Sequence, residues 1–418
     1  MSRLADDWLR LVLGVFYQKR TLTRADLLQA TGLNPASASH AIRHLLDRGV
    51  LIKTGDVESN GGRSRDVLDL NTEAGYFVAV DLEGTSIRFA LTNLVGDIRF
   101  RFGRDLEPNQ PIDIDAVVNG IRSVLNQLSE LQRKRVLACG VSHPGIIDDR
   151  GRITAVNLGW QDAPLWEGLQ STLEMPVYLE NAHRTCILAE RWLGSAKGSD
   201  NCIYVIVGNG VGIGAFVDGK ILEGHSGIAG ELGHVTIDPN ASDLCLCGRR
   251  GCLEAIASCA SIARQYFTHV SHQSEIHPTW RVTDVFERAR RNDEVALAVL
   301  DRAARYLGIG LAHLVLVLNP EIIVIGGPIL AGAELMFDRM RSELASHTLP
   351  AFLRELEIRP SSLGLDIGLK GASALAFRES LRTSDFLRNL ANTPKSKRRR
   401  SGVNRRDKAA ADSVLTSN

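Results

Sequence analysis

Cys245-Leu-Cys247-Gly-Arg-Arg-Gly-Cys252 sets three thiols within eight residues. Gly248 and Gly251 allow the tight turns that aim three sulfurs at one point. A closed tetrahedral site needs a fourth donor, and His234 in Gly230-Glu-Leu-Gly-His234 lies close upstream. Three thiolates and one imidazole favour Zn²⁺ in a structural role. A redox thiol group or incidental cysteines are the alternatives, but a Cys-x-Cys disulfide is sterically awkward and the glycines have no better explanation. Cys139, Cys186, Cys202 and Cys259 read as ordinary buried cysteines. Glu231 and His234 sit three apart and can face one ligand, and Glu254 follows the last cysteine of the loop.

A second chemistry lies near the N-terminus. Thr23 caps a helix with Asp26 completing a capping box, and that helix runs out at Gly32. Asn34 caps the next, with Pro35 at its first position, and Gly49 ends it. Ala38, Ile42, Leu45 and Leu46 recur at helical spacing and should face inward. The opposite face then shows Ser37, Ser39, His40, Arg43 and His44, side chains able to bond base edges or phosphates from a major groove. Val50–Ile52 and Val67–Leu70 read as two short strands, and the loop between them carries Arg63 and Arg65 among glycines. Two helices followed by such a wing give a winged helix-turn-helix, with the two arginines reaching backbone or minor groove. A three-helix interaction module is the alternative.

The elements that position these groups are ordinary for a globular chain. Of 418 residues, 44% are apolar and 23% charged, which calls for two or three domains. Lys+Arg 49 against Asp+Glu 48 leaves a net charge of +1, so any nucleic-acid binding must be local. Apolar runs such as Leu314–Leu318 are too short to span a bilayer. Seven cysteines, and an N-terminus without the layout of a signal peptide, point to the cytoplasm. Residues 1–72 form the helical unit with its wing. Residues 75–380 alternate strand-like runs (Tyr76–Leu82, Ile87–Thr92, Val136–Val141, Cys202–Val207, Ile322–Ile325) with helical stretches (Ile114–Gln132, Ala182–Leu193, Glu294–Leu318), an α/β pattern. Residues 384–418 lose that pattern and read as a basic disordered tail.

The run His234…Cys245-x-Cys-Gly-x-x-Gly-Cys252-Leu-Glu254 resembles the signature of the ROK family of repressors and sugar kinases, and residues 75–380 resemble its kinase-like domain throughout. Residues 1–72 resemble the winged helix that the branch of xylose and N-acetylglucosamine repressors adds. The resemblance implies a two-lobed, actin-like (ribonuclease-H-like) fold with a sugar cleft between the lobes. It implies sugar contacts at Asn157, Asn181, Glu231, His234 and Glu254, with His143-Pro144-Gly145 lining the same cleft. His234 then serves both zinc and sugar, using its two ring nitrogens.

Active ROK kinases carry Glu-Asn-Asp-Ala-Asn, in which the Asp is the general base; here the stretch is Glu180-Asn-Ala182-His-Arg184. Losing such a base costs roughly 10²–10⁴ in rate. The first phosphate loop reads Asp81-Leu-Glu83-Gly-Thr85, with Glu83 where backbone should approach phosphate. The second, Gly208-Asn-Gly210, lacks the usual threonine hydroxyl. The expectation is a non-enzymatic, sugar-responsive regulator, most simply a repressor. Its partners are operator DNA and a small sugar, its assembly is a homodimer or a dimer of dimers, and its kinase-like domain is a sensor. A bifunctional ATP-dependent sugar kinase and a regulator sequestered by a transport protein are the alternatives.

Overall fold

A helix that begins with a side-chain cap and stops at a left-handed glycine needs little else to fix its ends, and the second helix of the N-terminal unit is built this way. The computed structural model describes residues 3–19, 21–59, 62–83, 86–105, 113–148, 150–155, 160–271 and 281–383. The unit runs α1 (Arg3–Gln18), β1 (Leu22–Thr23), α2 (Arg24–Thr31), α3 (Pro35–Asp47), β2 (Leu51–Ser59) and β3 (Gly62–Leu70). Thr23 Oγ1 accepts the Asp26 N–H at 3.3 Å, and the Asp26 carboxylate accepts the Thr23 N–H at 2.8 Å. Gly32, at φ 65°, closes α2. Asn34 Oδ1 accepts the Ser37 N–H at 2.9 Å and opens α3. Leu9, Val12, Leu13 and Phe16 of α1 then pack on Leu27, Ile42 and Leu45.

Ser37 departs from its expected outward position: it is 6% exposed. Residues 37, 41 and 45 fall on one helical stripe beside 38 and 42, so the buried face is one position wider than the apolar residues alone mark. The same core does not stop at the unit's edge. It continues without a break into Leu94, Val95, Leu137, Ala138, Ala376 and Phe377 of the rest of the chain.

The larger part holds two five-stranded sheets. β4 (Tyr76–Glu83), β5 (Ser86–Asn93) and β6 (Ile98–Asp105) form an antiparallel meander. After α4 (Ile114–Asn126) and α5 (Glu130–Arg133), β7 (Val136–His143) joins β4 in parallel. The stretch expected as one helix over 114–132 breaks because Ser129 starts a new capping box with Gln132. A small sheet of β8 (Ile146–Ile147), β9 (Ile153–Ala155) and β10 (Trp160–Ala163) follows, then α6 (Leu165–Thr172) and β11 (Val177–Asn181), parallel to β7. α7 (Ala182–Leu193) leads to the second sheet. There β12 (Cys202–Val207), β13 (Val211–Val217) and β14 (Lys220–Ile221) repeat the meander. α8 (Leu253–Ala257), α9 (Cys259–Ser271), α10 (Val282–Arg290) and α11 (Glu294–Leu318) precede β15 (Ile322–Gly326), parallel to β12. α12 (Ala333–Ser346), β16 (Glu357–Pro360) and α13 (Ile367–Arg382) finish the described chain.

The sheet orders are β11-β7-β4-β5-β6 and β14-β13-β12-β15-β16. Each is the same α/β arrangement, with its first strand central, two antiparallel neighbours on one side and two parallel ones on the other. Parallel strands covered on both faces read as continuous apolar runs, as β4 and β15 do. α7 and α13 lie between the sheets at glycine-wide separations. A Cβ on Gly214 would stand 2.1 Å from the His183 carbonyl oxygen, one on Gly371 2.4 Å from that of Thr185, and one on Gly140 1.9 Å from that of Ala372. Among the described residues no helix is long and apolar enough to cross a membrane.

Candidate functional site

The loop between the 3₁₀ turn Leu232–His234 and α8 brings the cysteine cluster together. The ligand atoms of His234, Cys245, Cys247 and Cys252 all lie within 4.8 Å of one another. Cys247 Sγ is 3.7 Å from Cys252 Sγ, and Cys245 Sγ is 3.6 Å from His234 Nδ1. A tetrahedron with bonds of about 2.3 Å has sulfur–sulfur edges of roughly 3.8 Å, so the four donors fit one zinc-sized ion. Gly251 is obligatory here: at φ 70° its Cβ would stand 1.8 Å from the Asp238 carbonyl oxygen. The backbone N–H of Arg249 pulls the exposed Cys247 thiol down to about 6, toward the thiolate that a metal needs. Arg302 of α11 anchors the loop with two bonds to Asp243, at 2.6 and 3.3 Å, and Tyr306 donates to Asp238. The sequence reading missed these two anchors, because a single Arg–Asp pair 59 residues apart leaves no local trace.

His234 turns its other nitrogen away from the sulfurs. Nε2 is 3.8 Å from Glu231 Oε2. Burial raises the Glu231 carboxyl above its ordinary range, Glu254 adds to the rise, and His234 and Arg184 oppose it. Glu254 Oε2 accepts the Val211 N–H at 3.1 Å. Glu231, His234 and Glu254 thus share one neighbourhood, as expected. Asn181 sits at the mouth of α7 but is already engaged: Oδ1 accepts the His183 N–H at 2.9 Å and Nδ2 donates to the Gly145 carbonyl at 2.9 Å. One amide N–H remains for a ligand. Arg184, which the sequence reading passed over, bonds Glu180 at 2.7 Å and the Gly227 carbonyl at 2.8 Å. Asn157 lies outside the described residues.

His143 and His183 stand beside this neighbourhood. Burial, with Arg184 nearby, pushes each imidazole down to about 4. His143 is fully buried, its Nδ1 3.0 Å from the Pro144 carbonyl and its Nε2 without a hydrogen-bond partner among the described residues. The ring of His183 fills the space where Gly212 lacks a Cβ. A group with a depressed folded pKa stabilises above its unfolded pKa and loses that contribution as pH falls. The two imidazoles should therefore subtract stability as pH falls from 6.5 to about 4, the fully buried His143 alone by about 3 kcal/mol. The raised Asp81 carboxyl acts in the opposite sense below about 6, so the histidine contribution is read as the difference from a His143 variant. Urea midpoints across this window measure it; His143→Gln should flatten the profile, and an unchanged slope would place the imidazole in water.

Beside Asp81 and Glu83, where the first phosphate loop is expected, the structure places a cation. Arg88 Nη2 is 2.5 Å from both Asp81 Oδ2 and Glu83 Oε1, and Nη1 donates to the Leu365 carbonyl. Burial, with Glu83 adding to it, lifts the Asp81 carboxyl to about 6 against the pull of Arg88. The position expected to lack a base, Ala182, is the first residue of α7.

Of the residues expected to read DNA, His40 and Arg43 are exposed, Ser39 is half-buried and Ser37 is buried. His40 stands edge-on to Trp8 at 6.1 Å. Arg63 and Arg65 lie on β3, and their side chains fall outside the described residues.

The description "ROK family" belongs to the family model that matches residues 77–379. The chain belongs to the ROK family. It is 32% identical to a xylose repressor of Bacillus subtilis over 88% of this chain and 94% of that protein. It is 34% identical to a glucokinase of Halalkalibacterium halodurans over 72% of this chain and 94% of the glucokinase. A solved ROK family transcriptional regulator, a homologue of the Escherichia coli Mlc protein, superposes with a TM-score of 0.76 at 24% identity. That likeness covers 93% of this chain and 99% of the other, and shows the fold.

Proposed function

We propose that this chain is a sugar-responsive transcriptional repressor: residues 1–72 form a winged helix-turn-helix that binds operator DNA, and residues 75–380 a silent, two-lobed sugar-kinase-like sensor. The observation that carries the reading is the extent of the likeness. The xylose repressor matches 88% of the chain, whereas the glucokinase matches 72%. The difference is of the size of the N-terminal unit with its exposed His40 and Arg43. Sugar held by Asn181, Glu231, His234 and Glu254 shifts the balance between two conformations of a dimer, and with it the spacing of two DNA-reading helices. Zinc on His234, Cys245, Cys247 and Cys252 shapes the loop and orients the imidazole; it takes no part in a reaction.

The test is selection of genomic fragments by the purified full chain, then gel shifts at graded D-xylose and D-glucose. The expected result is a two-fold-related site released by one of the sugars. Residues 72–418 alone should bind no operator; if they bind it as well as the full chain, the DNA-reading unit is misassigned. The glucokinase relatives favour a second reading, a sugar kinase. Ala182 opposes it, and so does the Asp81–Arg88–Glu83 cluster, which fills the phosphate cradle with paired charges. A coupled ATP assay should show no sugar phosphorylation, and Ala182→Asp should not restore it, because Arg88 and Glu83 stay in place. Turnover by the natural chain would sink the silent-sensor reading.

A further inference from the structure

α7 touches three parts of the molecule. At its start, Asn181 is bonded to Gly145 beside the first sheet, and Arg184 to Gly227 beyond the second. His183 packs on Gly212 and Gly214 of β13. At its end, Trp192 is buried and meets Tyr17, the penultimate residue of α1. The Tyr17 and Trp192 rings are 4.6 Å apart and inclined by 14°. Phe377 of α13 completes a near-parallel group, 4.8 Å from Tyr17 and 5.7 Å from Trp192. Tyr17 belongs to the edges of two core clusters, that of the N-terminal unit and that between the two sheets. α1 in turn carries Trp8, which stands against His40 of α3.

We infer that α7 is the lever joining the sugar cleft to the DNA-reading unit, and that the Tyr17–Trp192–Phe377 stack is its joint. This rests on the repressor reading above. A 12-residue helix is a rigid rod about 18 Å long. A ligand that draws the two lobes onto its first turn must also move its last turn. Close-packed rings pass such a shift on as a change of packing, since a core has discrete arrangements and little compressibility. A unit hung on a loose linker would receive nothing; here the two parts share one core. Trp192 is held in place from the far side, since a Cβ on Gly96 would stand 2.8 Å from its ring. The Tyr17 hydroxyl is buried and has no hydrogen-bond partner among the described residues, so the ring and not the oxygen carries the role.

The experiment uses the full chain with D-xylose and D-glucose as probes. Hydrogen exchange is followed at residues 181–184 and 9–17, and operator affinity is measured with and without sugar. In the natural chain the sugar that binds should alter exchange in both segments. Tyr17→Leu should keep the sugar dissociation constant within about threefold, since the joint is remote from the cleft. Its ratio of operator affinities, with and without sugar, should drop from the about 5–150-fold typical of coupled sites to about one. Tyr17→Phe should keep the natural ratio. A folded Tyr17→Leu chain released by sugar like the natural one overturns the inference. So does natural chain in which sugar changes exchange at 181–184 but not at 9–17, a measurement that needs no variant to fold. If neither sugar changes exchange at 181–184, the sensor reading itself fails and the lever falls with it.

Discussion

Cys247→Ser should leave the purified chain without its metal and with its sugar response gone. The natural chain should hold about one zinc, because four donors within 4.8 Å of one another match the reach of a single tetrahedral ion. Serine keeps the size of the side chain but removes the thiolate, and three remaining ligands cannot close the site. Besides the metal, the loop is held by two glycines in left-handed conformations, the clip from Arg302 to Asp243, the Tyr306 bond to Asp238, and short bridges at Thr236–Cys252 and Leu244–Arg250. Apparent binding energies of structural zinc in small peptides are about 10–16 kcal/mol, and here that energy shapes a loop. Cys252 leads directly into α8 and Glu254, and His234 shares its ring between sulfur and Glu231. Loss of two charge-assisted bonds to sugar, each about 1.5–3 kcal/mol, is a fall in affinity of about 100-fold or more. Elemental analysis and sugar titration of both proteins measure the two effects. A serine variant that is metal-free yet responds to sugar like the natural chain would remove zinc from the mechanism.

Local chemistry was legible in the sequence, and long-range pairing was not. The capping box at Thr23 and Asp26, the Asn34–Pro35 start and the Gly32 stop are written within four residues, and each stands where expected. The cysteine loop was legible for the same reason. Ser37 was misplaced because a small polar residue on the edge of a buried stripe carries no hydrophobic signal. The break before Ser129 was missed because a capping box inside a helical pattern looks like more helix. The repetition of one strand order in both sheets is invisible to residue periodicity, since it lives in which strands pair and not in residue types. Glu83 was read as an obstacle to phosphate; that Arg88 pairs with it and with Asp81 becomes visible only when β4 and β5 are set side by side, Asp81 opposite Arg88. Asn181 was expected as a sugar contact, and its own helix and the Gly145 turn use both ends of its amide first.

That division of labour makes Glu231 the residue on which sugar recognition should turn. Asn181 has one free N–H, Glu254 already accepts from Val211, and His234 is tied to the sulfurs through Nδ1. The Glu231 side chain is half-exposed, and among the described residues its charged-group contact is the 3.8 Å approach to His234 Nε2. Its carboxylate is therefore the acceptor most open to a ligand hydroxyl. Glu231→Gln keeps the shape and leaves the metal donors alone, but replaces a charged acceptor with an amide. A charge-assisted hydrogen bond is worth about 1.5–3 kcal/mol, so sugar affinity should fall about tenfold or more. Operator binding without sugar should be unchanged, because the N-terminal unit shares its core with β4, the turn after β5, β7 and α13 and not with this loop. An inducer acts only through its different affinities for two conformations, so the variant should stay on its operator at sugar levels that release the natural chain. Gel shifts at graded sugar concentrations decide it. Parallel release of both proteins would mean that the hydroxyl acceptor lies elsewhere in the cleft.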